Sequence, residues 1–346
     1  MNRKIWIYAL PAALIVTMAL LVCLSLWHGS VHIPLRSVLN ILSGSGDEKS
    51  SWTNIVLQTR LPQAVTAMLC GAALAVSGLM LQTLFRNPLA GPSILGISDG
   101  ANLGVAVVLM GGASVSATLS MLSFSSSLLI VAGAFAGACA VLALIIYFSS
   151  KVKNAVMLLI IGMMTGYMAS SVIALLNYYA PPGQVHAFVM WGMGDFSGVT
   201  LKQLPVFVAI ILPALFFSIL LIKPLNALLL GEQYAANLGV RIKYLRILIL
   251  LCTGLLTATV TAYCGPISFI GLAVPHIARM LLRNTNFKML LPVTLLAGAN
   301  IALLCNLFTI LPGGNGILPL NAVTPLFGAP VILYIILNRR QQLYFE

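Results

Sequence analysis

The sequence predicts an all-α, polytopic membrane protein with about ten transmembrane helices in one domain, residues 1–346. Three observations predict it. First, 60% of the residues are hydrophobic and 7% are charged, against about 45–50% and about 25% in soluble domains. With a mean hydropathy of +1.05, the charged side chains are too few to cover a soluble surface, which excludes a soluble enzyme, a disordered chain and a fibrous protein. Second, the apolar runs are long and continuous and do not alternate with period two, which sets a β-barrel aside. Third, the basic residues divide unevenly between alternate loops, as described below.

A span needs about 20 apolar residues. Runs of this kind occupy 5–27, 61–84, 93–110, 127–149, 154–177, 203–222, 243–263, 267–282, 289–311 and 318–338. The first follows Asn2-Arg3-Lys4 and imitates a secretory signal, but at 23 residues it is longer than a signal's apolar region. Leu21-Val22-Cys23 lacks the small residue a lipobox needs before its cysteine, so a retained first helix is expected. Several runs are interrupted by Gly or Pro; the eighth is short and holds Pro275 and His276. Broken helices at membrane depth are tolerated where protein or a water-filled cavity covers the freed backbone groups, so the breaks hint at a pathway.

Ten spans put both termini on one side, taken as the cytoplasm. Arg3, Lys4, Arg86, Lys151, Lys153, Lys223, Arg241, Lys243, Arg246, Arg279, Arg283, Lys288, Arg339 and Arg340 then lie inside, fourteen of eighteen basic residues. Arg36, Lys49, Arg60 and Lys202 lie outside. A 14:4 split is a strong positive-inside signal, and deleting one middle span would destroy it. The net charge, 18 − 6 = +12, is therefore read as topology and not as a nucleic-acid surface. Spans 2–5 and 7–10 lie five apart, so a repeat relating them must be inverted, as is common in transporters. The sequence echo is faint: Gly91-Pro92 and Gly265-Pro266 each precede an Ile/Gly/Ser-rich half-helix.

Three connecting segments are long enough to have a role. The outer segment 28–60 is mixed polar and holds Asp47 and Glu48; the outer segment 178–202 is aromatic and Gly-rich, and suggests a short interfacial helix. The inner segment 223–242 carries Glu232. Within it, 228–240 reads as a short helix ended by Gly239, with Leu230, Tyr234 and Leu238 on one apolar face. Such a helix suits docking into a partner's groove or lying on the bilayer.

The chemistry of an enzyme is missing. There is no GxxxxGK[ST] phosphate loop, no HExxH, no nucleophile elbow and no pair of carboxylates. Cysteines 23, 70, 139, 252, 264 and 305 stand singly, without CxxC or Cys/His spacing. No cofactor or metal site is expected. Ion-coupled carriers bury acids in their spans; the candidates are Asp99, which reads as a carboxylate facing a helix N-terminus, and Asp195, which reads as an exposed loop acid.

From Arg60 to Leu337 the chain resembles the permease subunits of type II ABC importers, the FecCD or BtuC-type family. The resemblance rests on motifs in order. Arg60-Leu61-Pro62 opens span 2, followed by Gly71 to Ala75, Ser77-Gly78 and Gln82. Asn87-Pro88-Leu89-Ala90, Pro92 and Leu95-Gly96 come next, then Gly231-Glu232, Ala235 and Leu238-Gly239. Gly265-Pro266 through Gly271, Pro275-His276 and Arg279 are close to a signature, and Leu318-Pro319, Thr324 and Gly328-Ala329-Pro330 close the set.

The resemblance implies ten spans per subunit and a homodimer with its pore at the subunit interface in a bacterial inner membrane. It also implies two separate cytoplasmic ABC ATPases and an outer substrate-binding protein, which accounts for the missing phosphate loop. Leu230, Gly231, Glu232, Tyr234, Ala235, Leu238 and Gly239 resemble the ATPase-coupling helix, with Glu232 as a polar contact; Asn154, Ala155 and Val156 resemble the inner gate. Arg60 resembles an outer arginine that pairs with an acid of the binding protein.

Departures alter that docking surface. Gln63 and Ile310 stand where further arginines are common, Ile317 replaces an acid and Asn321 a glycine, so fewer salt bridges, or Lys202 and Arg36 instead, are expected outside. Ala155 and Val156 replace small polar residues, which suggests a drier gate. His276 is expected to be structural, bonding carbonyls freed by Pro275, and not a haem or iron ligand. An iron chelate, as ferric siderophore or haem, is the first expectation for cargo, with vitamin B12 as the alternative. A carrier or channel working alone is the reading from a different class.

Overall fold

The structure is a computed structural model that describes residues 3–44, 48–111, 126–152, 155–310 and 318–337. It is helical, with no strand among the described residues. Arg3–Trp27 (α1) leads to Leu35–Ser43 (α2). Ser50–Asn54 (α3) runs through a π-turn, Ile55–Arg60, directly into Leu61–Leu84 (α4). There follow Ile97–Met110 (α5), Ser126–Lys151 (α6), Ala155–Tyr179 (α7) and Pro182–Gly192 (α8). Leu204–Leu220 (α9) and Ile222–Leu229 (α10) are bent by 54° at their junction. Glu232–Asn237 (α11), Ile242–Cys264 (α12), Ile270–Leu282 (α13), Phe287–Phe308 (α14) and Leu320–Leu337 (α15) complete the fold.

Among the described residues six helices are long and apolar enough to cross a bilayer, and the bent α9–α10 pair makes a seventh. Three shorter apolar helices, Ile97–Met110, Ile270–Leu282 and Leu320–Tyr334, fall on the remaining predicted segments. The short helices have identifiable causes. Before α5 the chain makes a 3₁₀ turn, Pro92–Leu95, and a left-handed Gly96. Before α13 it runs extended from Gly265 and turns at Phe269, a non-glycine residue held at φ 66. Spans 3 and 8 were expected to begin at 93 and 267; helix starts instead at Ile97 and Ile270, because these turns consume the intervening residues.

Helices α4, α12 and α14 are mostly buried, whereas α1, α6 and α7 present most of their surface outward. Exchanging α4–α7 for α12–α15 maps packing pairs onto one another. The pair α4 with α14 corresponds to α12 with α6, α5 with α6 to α13 with α14, and α5 with α7 to α13 with α15. This pattern fits the inverted repeat. Small residues bring the central helices into backbone contact, as expected where lipid removes the hydrophobic drive for association. A methyl group on Gly78 of α4 would collide with the carbonyl of Gly271 of α13, and one on Gly271 would lie 2.7 Å from Pro92 Cδ.

Candidate functional site

The inner segment predicted to dock a partner folds as α10, a break, and α11. Gly231 makes the break at φ 109 and ψ 155, a region open in practice to glycine alone. The far end of α11 is closed by a Schellman turn: Val240 N donates to Ala235 O (3.0 Å) and Gly239 N to Ala236 O (2.9 Å), with Gly239 left-handed at φ 84. Between the two glycines, Ala235 points inward and is fully buried. Leu230, Tyr234 and Leu238 form an outward ridge, 63%, 51% and 59% exposed. Tyr234 and Leu238, one helical turn apart, and Leu230 just across the Gly231 break together present the apolar surface that groove docking requires.

A buried arginine ties the helix to the rest of the molecule. Arg246, on α12, donates to Glu232 Oε1 at 3.1 Å and through its other terminal nitrogen to Val152 O at 3.0 Å. Glu232, expected to contact a partner, is therefore engaged within the chain, although its side chain stays partly exposed. Val152 lies in the link between α6 and α7, next to the expected gate. Ala155 and Val156 line an open cleft of about 950 Å³ together with Arg86, Leu230, Glu232 and Tyr234. Gate and coupling candidates thus meet in one cleft; Asn154 lies outside the described residues. Arg246 was not singled out in the sequence. The available signal was that an inner acid and an arginine fourteen residues on flank one turn.

A buried polar cluster staples α13 to the end of α4. The α4 terminus is a second Schellman turn, with Asn87 N donating to Gln82 O (3.2 Å) and Arg86 taking the left-handed position at φ 46. Asn87 Oδ1 accepts from Leu89 N at 2.9 Å and shapes the turn that presents Pro88. His276 Nε2 then bonds Pro88 O at 2.7 Å. Arg279 donates to Gln82 Oε1 at 2.7 Å, and Gln82 Nε2 donates to Leu272 O at 3.1 Å. His276 bonds a backbone carbonyl within the chain, but not one of the carbonyls beside Pro275 that were expected. It reaches across to Pro88, while Gln82 serves the Leu272 carbonyl, three residues before Pro275.

Arg60 and Gln63, at positions expected to dock a binding protein, are engaged within the chain. Arg60 is 6% exposed and donates to the carbonyls of Leu26 (2.9 Å), Trp27 (2.8 Å) and Val31. Its guanidinium caps the C-terminus of α1 and is not presented outward, because the chain bends back over it. Gln63 Nε2 bonds Asn306 Oδ1 at 3.0 Å and joins α4 to α14. Arg36 and Lys202 remain exposed. Asn321 is a staple: it donates to Gly192 O (3.1 Å) and Pro266 O (2.6 Å) and accepts from Ser268 N (3.1 Å). It therefore fixes the extended Gly265-Pro266 stretch between α8 and α15. Asp99, at the third position of α5, lies over Gly166 of α7, where any Cβ would displace its carboxylate. Asp195 is an exposed loop acid that accepts from Ser197 N at 2.9 Å.

Residues 17–338 match the FecCD transport family. The vitamin B12 import system permease protein BtuC of Salmonella paratyphi A is 34% identical over 316 residues, covering 89% of this chain and 93% of that protein. The BtuC protein of Klebsiella pneumoniae subsp. pneumoniae is 33% identical over 337 residues, covering 97% and 94%. A solved structure described as a metal-chelate type ABC transporter in an inward-facing conformation aligns with a TM-score of 0.80 at 29% identity, over 95% of this chain and 98% of that one. A broken-helix bundle with small-residue packing, an exposed apolar ridge and matches of this extent leave one assignment: the chain is a multi-pass membrane protein of the FecCD family of ABC importer permeases.

Proposed function

We propose that the chain works as one of two identical permease subunits of an ATP-driven, binding-protein-dependent importer in a bacterial inner membrane, with both termini cytoplasmic. Two ATPase subunits dock on the α10–α11 side and a binding protein on the opposite side. One observation carries the reading: exposed Leu230, Tyr234 and Leu238 flank a short helix whose Glu232 is tied through Arg246 to Val152, beside the expected gate segment. A ridge held by a partner and a tether reaching the gate are the two ends of a lever. Differential contacts in two ATPase states are what such a lever needs in order to act. The open face of α7, including Val156, Met164 and Met168, offers surface for the second copy and for the pathway between the two.

The cargo is a large metal chelate, and a cobalt corrinoid is favoured over the ferric chelate first expected from the sequence. The support is that the curated relatives named above are vitamin B12 permeases; a corrinoid is itself a metal chelate, so the structural relative's description is compatible with it. Two measurements test the reading. Leu238→Asp should abolish copurification of the cognate ATPase; undiminished copurification would remove the docking assignment. Titration of the cognate binding protein should give tighter binding to cyanocobalamin than to ferric siderophores or haem; the reverse order would return the ferric chelate to first place.

A further inference from the structure

The structure assigns α2 a role that no part of the permease reading uses: we infer that it is an interfacial helix anchored in lipid at the α1 end of the molecule. At about 100° per residue, its nine residues divide into three sectors. Ser37, Val38 and Ile41 are buried and cover an arc of about 100°. Val38 and Ile41 pack there with Leu26, Ile33 and Val56. Arg36, Asn40 and Ser43 lie within about 60° on the roughly opposite side. Leu35, Leu39 and Leu42, all exposed, fall within about 60° between the two. A helix lying on a globular surface in water needs only a buried face and a polar face. A third, outward apolar sector set roughly 100° from the polar one fits a helix with protein beside it, water above it and hydrocarbon beneath it.

The occupant of that sector follows from its neighbours. Helix α1 ends in exposed Leu20, Leu24 and Trp27, on a helix that is long and apolar enough to span and is mostly unburied. Arg60 ties the carbonyls of Leu26, Trp27 and Val31 together. The exposed Val31 and the α2 leucines therefore continue from the lipid-facing end of α1. An exposed Trp at a span end marks the headgroup level. The polar sector is anchored too: Asn40 Nδ2 donates to Glu48 Oε1 at 3.0 Å, and Lys49 Nζ sits 4.8 Å from the centroid of the Trp52 ring. Arg36 and Lys49 then lie where lipid phosphates are found. Seating α2 in the bilayer would hold the capped end of α1, and through Arg60 the start of α4, at a fixed depth. Only the leaflet assignment rests on the topology proposed above.

The test is nitroxide accessibility in nanodiscs of phosphatidylcholine and phosphatidylglycerol, with the full-length chain, no partner protein and Cys23→Ser with Cys139→Ser as background because neither cysteine is buried. Labels are placed through Leu39→Cys, Leu42→Cys and Arg36→Cys. The oxygen-to-nickel-chelate accessibility ratio should be several-fold higher at 39 and 42 than at 36. Equal access of the nickel chelate to all three sites would overturn the proposal. Shielding of 39 and 42 only after adding the cognate binding protein would also overturn it, in favour of a protein-docking face. Sidedness is read separately in sealed vesicles with a membrane-impermeant reductant, so a wrong topology and a failure of lipid seating give different results.

Discussion

If Arg246 transmits movement from the coupling helix to the gate, replacing it should uncouple transport from ATP hydrolysis without releasing the ATPase. Arg246→Met keeps the length of the stem and removes both bonds. The bond to Val152 O comes from a buried charged donor, a class worth about 1.5–3 kcal/mol. The pair with Glu232, whose side chain is 37% exposed, is discounted for solvent to about 0.5–1 kcal/mol. The tether is therefore weakened by about 2–4 kcal/mol, roughly 30- to 900-fold in the population that holds α11 to the α6–α7 link. The ridge of Leu230, Tyr234 and Leu238 is untouched. The assay is reconstituted complex in proteoliposomes, with substrate uptake and phosphate release measured on the same preparation. Copurification and ATP hydrolysis should persist while substrate moved per ATP falls at least tenfold; Arg246→Lys, which can keep only part of the geometry, should fall between. A normal transport-to-hydrolysis ratio in Arg246→Met would refute the lever.

Other predictions follow from local geometry. Gly231→Ala places a Cβ in a backbone region closed to it, although no side chain crowds the site; it should cost about 1–3 kcal/mol and misorient α11, seen as reduced ATPase binding at unchanged expression. Gly78→Ala drives a methyl into the Gly271 carbonyl and should prevent accumulation of folded protein, whereas Gly183→Ala, with nothing within 4 Å, should melt like the wild type. Arg60→Ala should lower the melting temperature by opening the α1 cap while leaving binding-protein affinity unchanged; Lys202→Glu should change that affinity and its salt dependence and not the melting temperature. Loss of affinity in Arg60→Ala at wild-type stability would restore its docking role.

Much of this was legible in the sequence where local rules dominate. The bounds of α4 were readable because Pro62 suits a first turn and the Arg86-Asn87-Pro88 stretch cannot continue a helix. The 228–240 segment was readable only in part: Gly239 closes its helix as expected, but the break at Gly231 divides the segment and leaves Leu230 outside α11, which hydropathy does not show. The late starts of α5 and α13 were not: hydropathy is the same in an extended or 3₁₀ stretch as in a helix, and Phe269 gives no composition signal for its positive φ. The burial of Arg60 could not be foreseen because its partners lie about thirty residues upstream, where only tertiary folding brings carbonyls to a guanidinium. Asn321 stood out as a departure, but the three backbone groups it satisfies belong to α8 and the 265–268 stretch and could not be seen from its own neighbourhood.

Uptake into proteoliposomes bears most directly on the central claim. Radiolabelled cyanocobalamin and a ferric siderophore are supplied outside with the cognate binding protein, and the ATPase is included or left out. Accumulation of a chelate only when permease, ATPase, ATP and binding protein are all present, and its loss in Leu238→Asp, is the predicted result. Uptake that persists without the ATPase would identify a carrier or channel working alone and contradict the account.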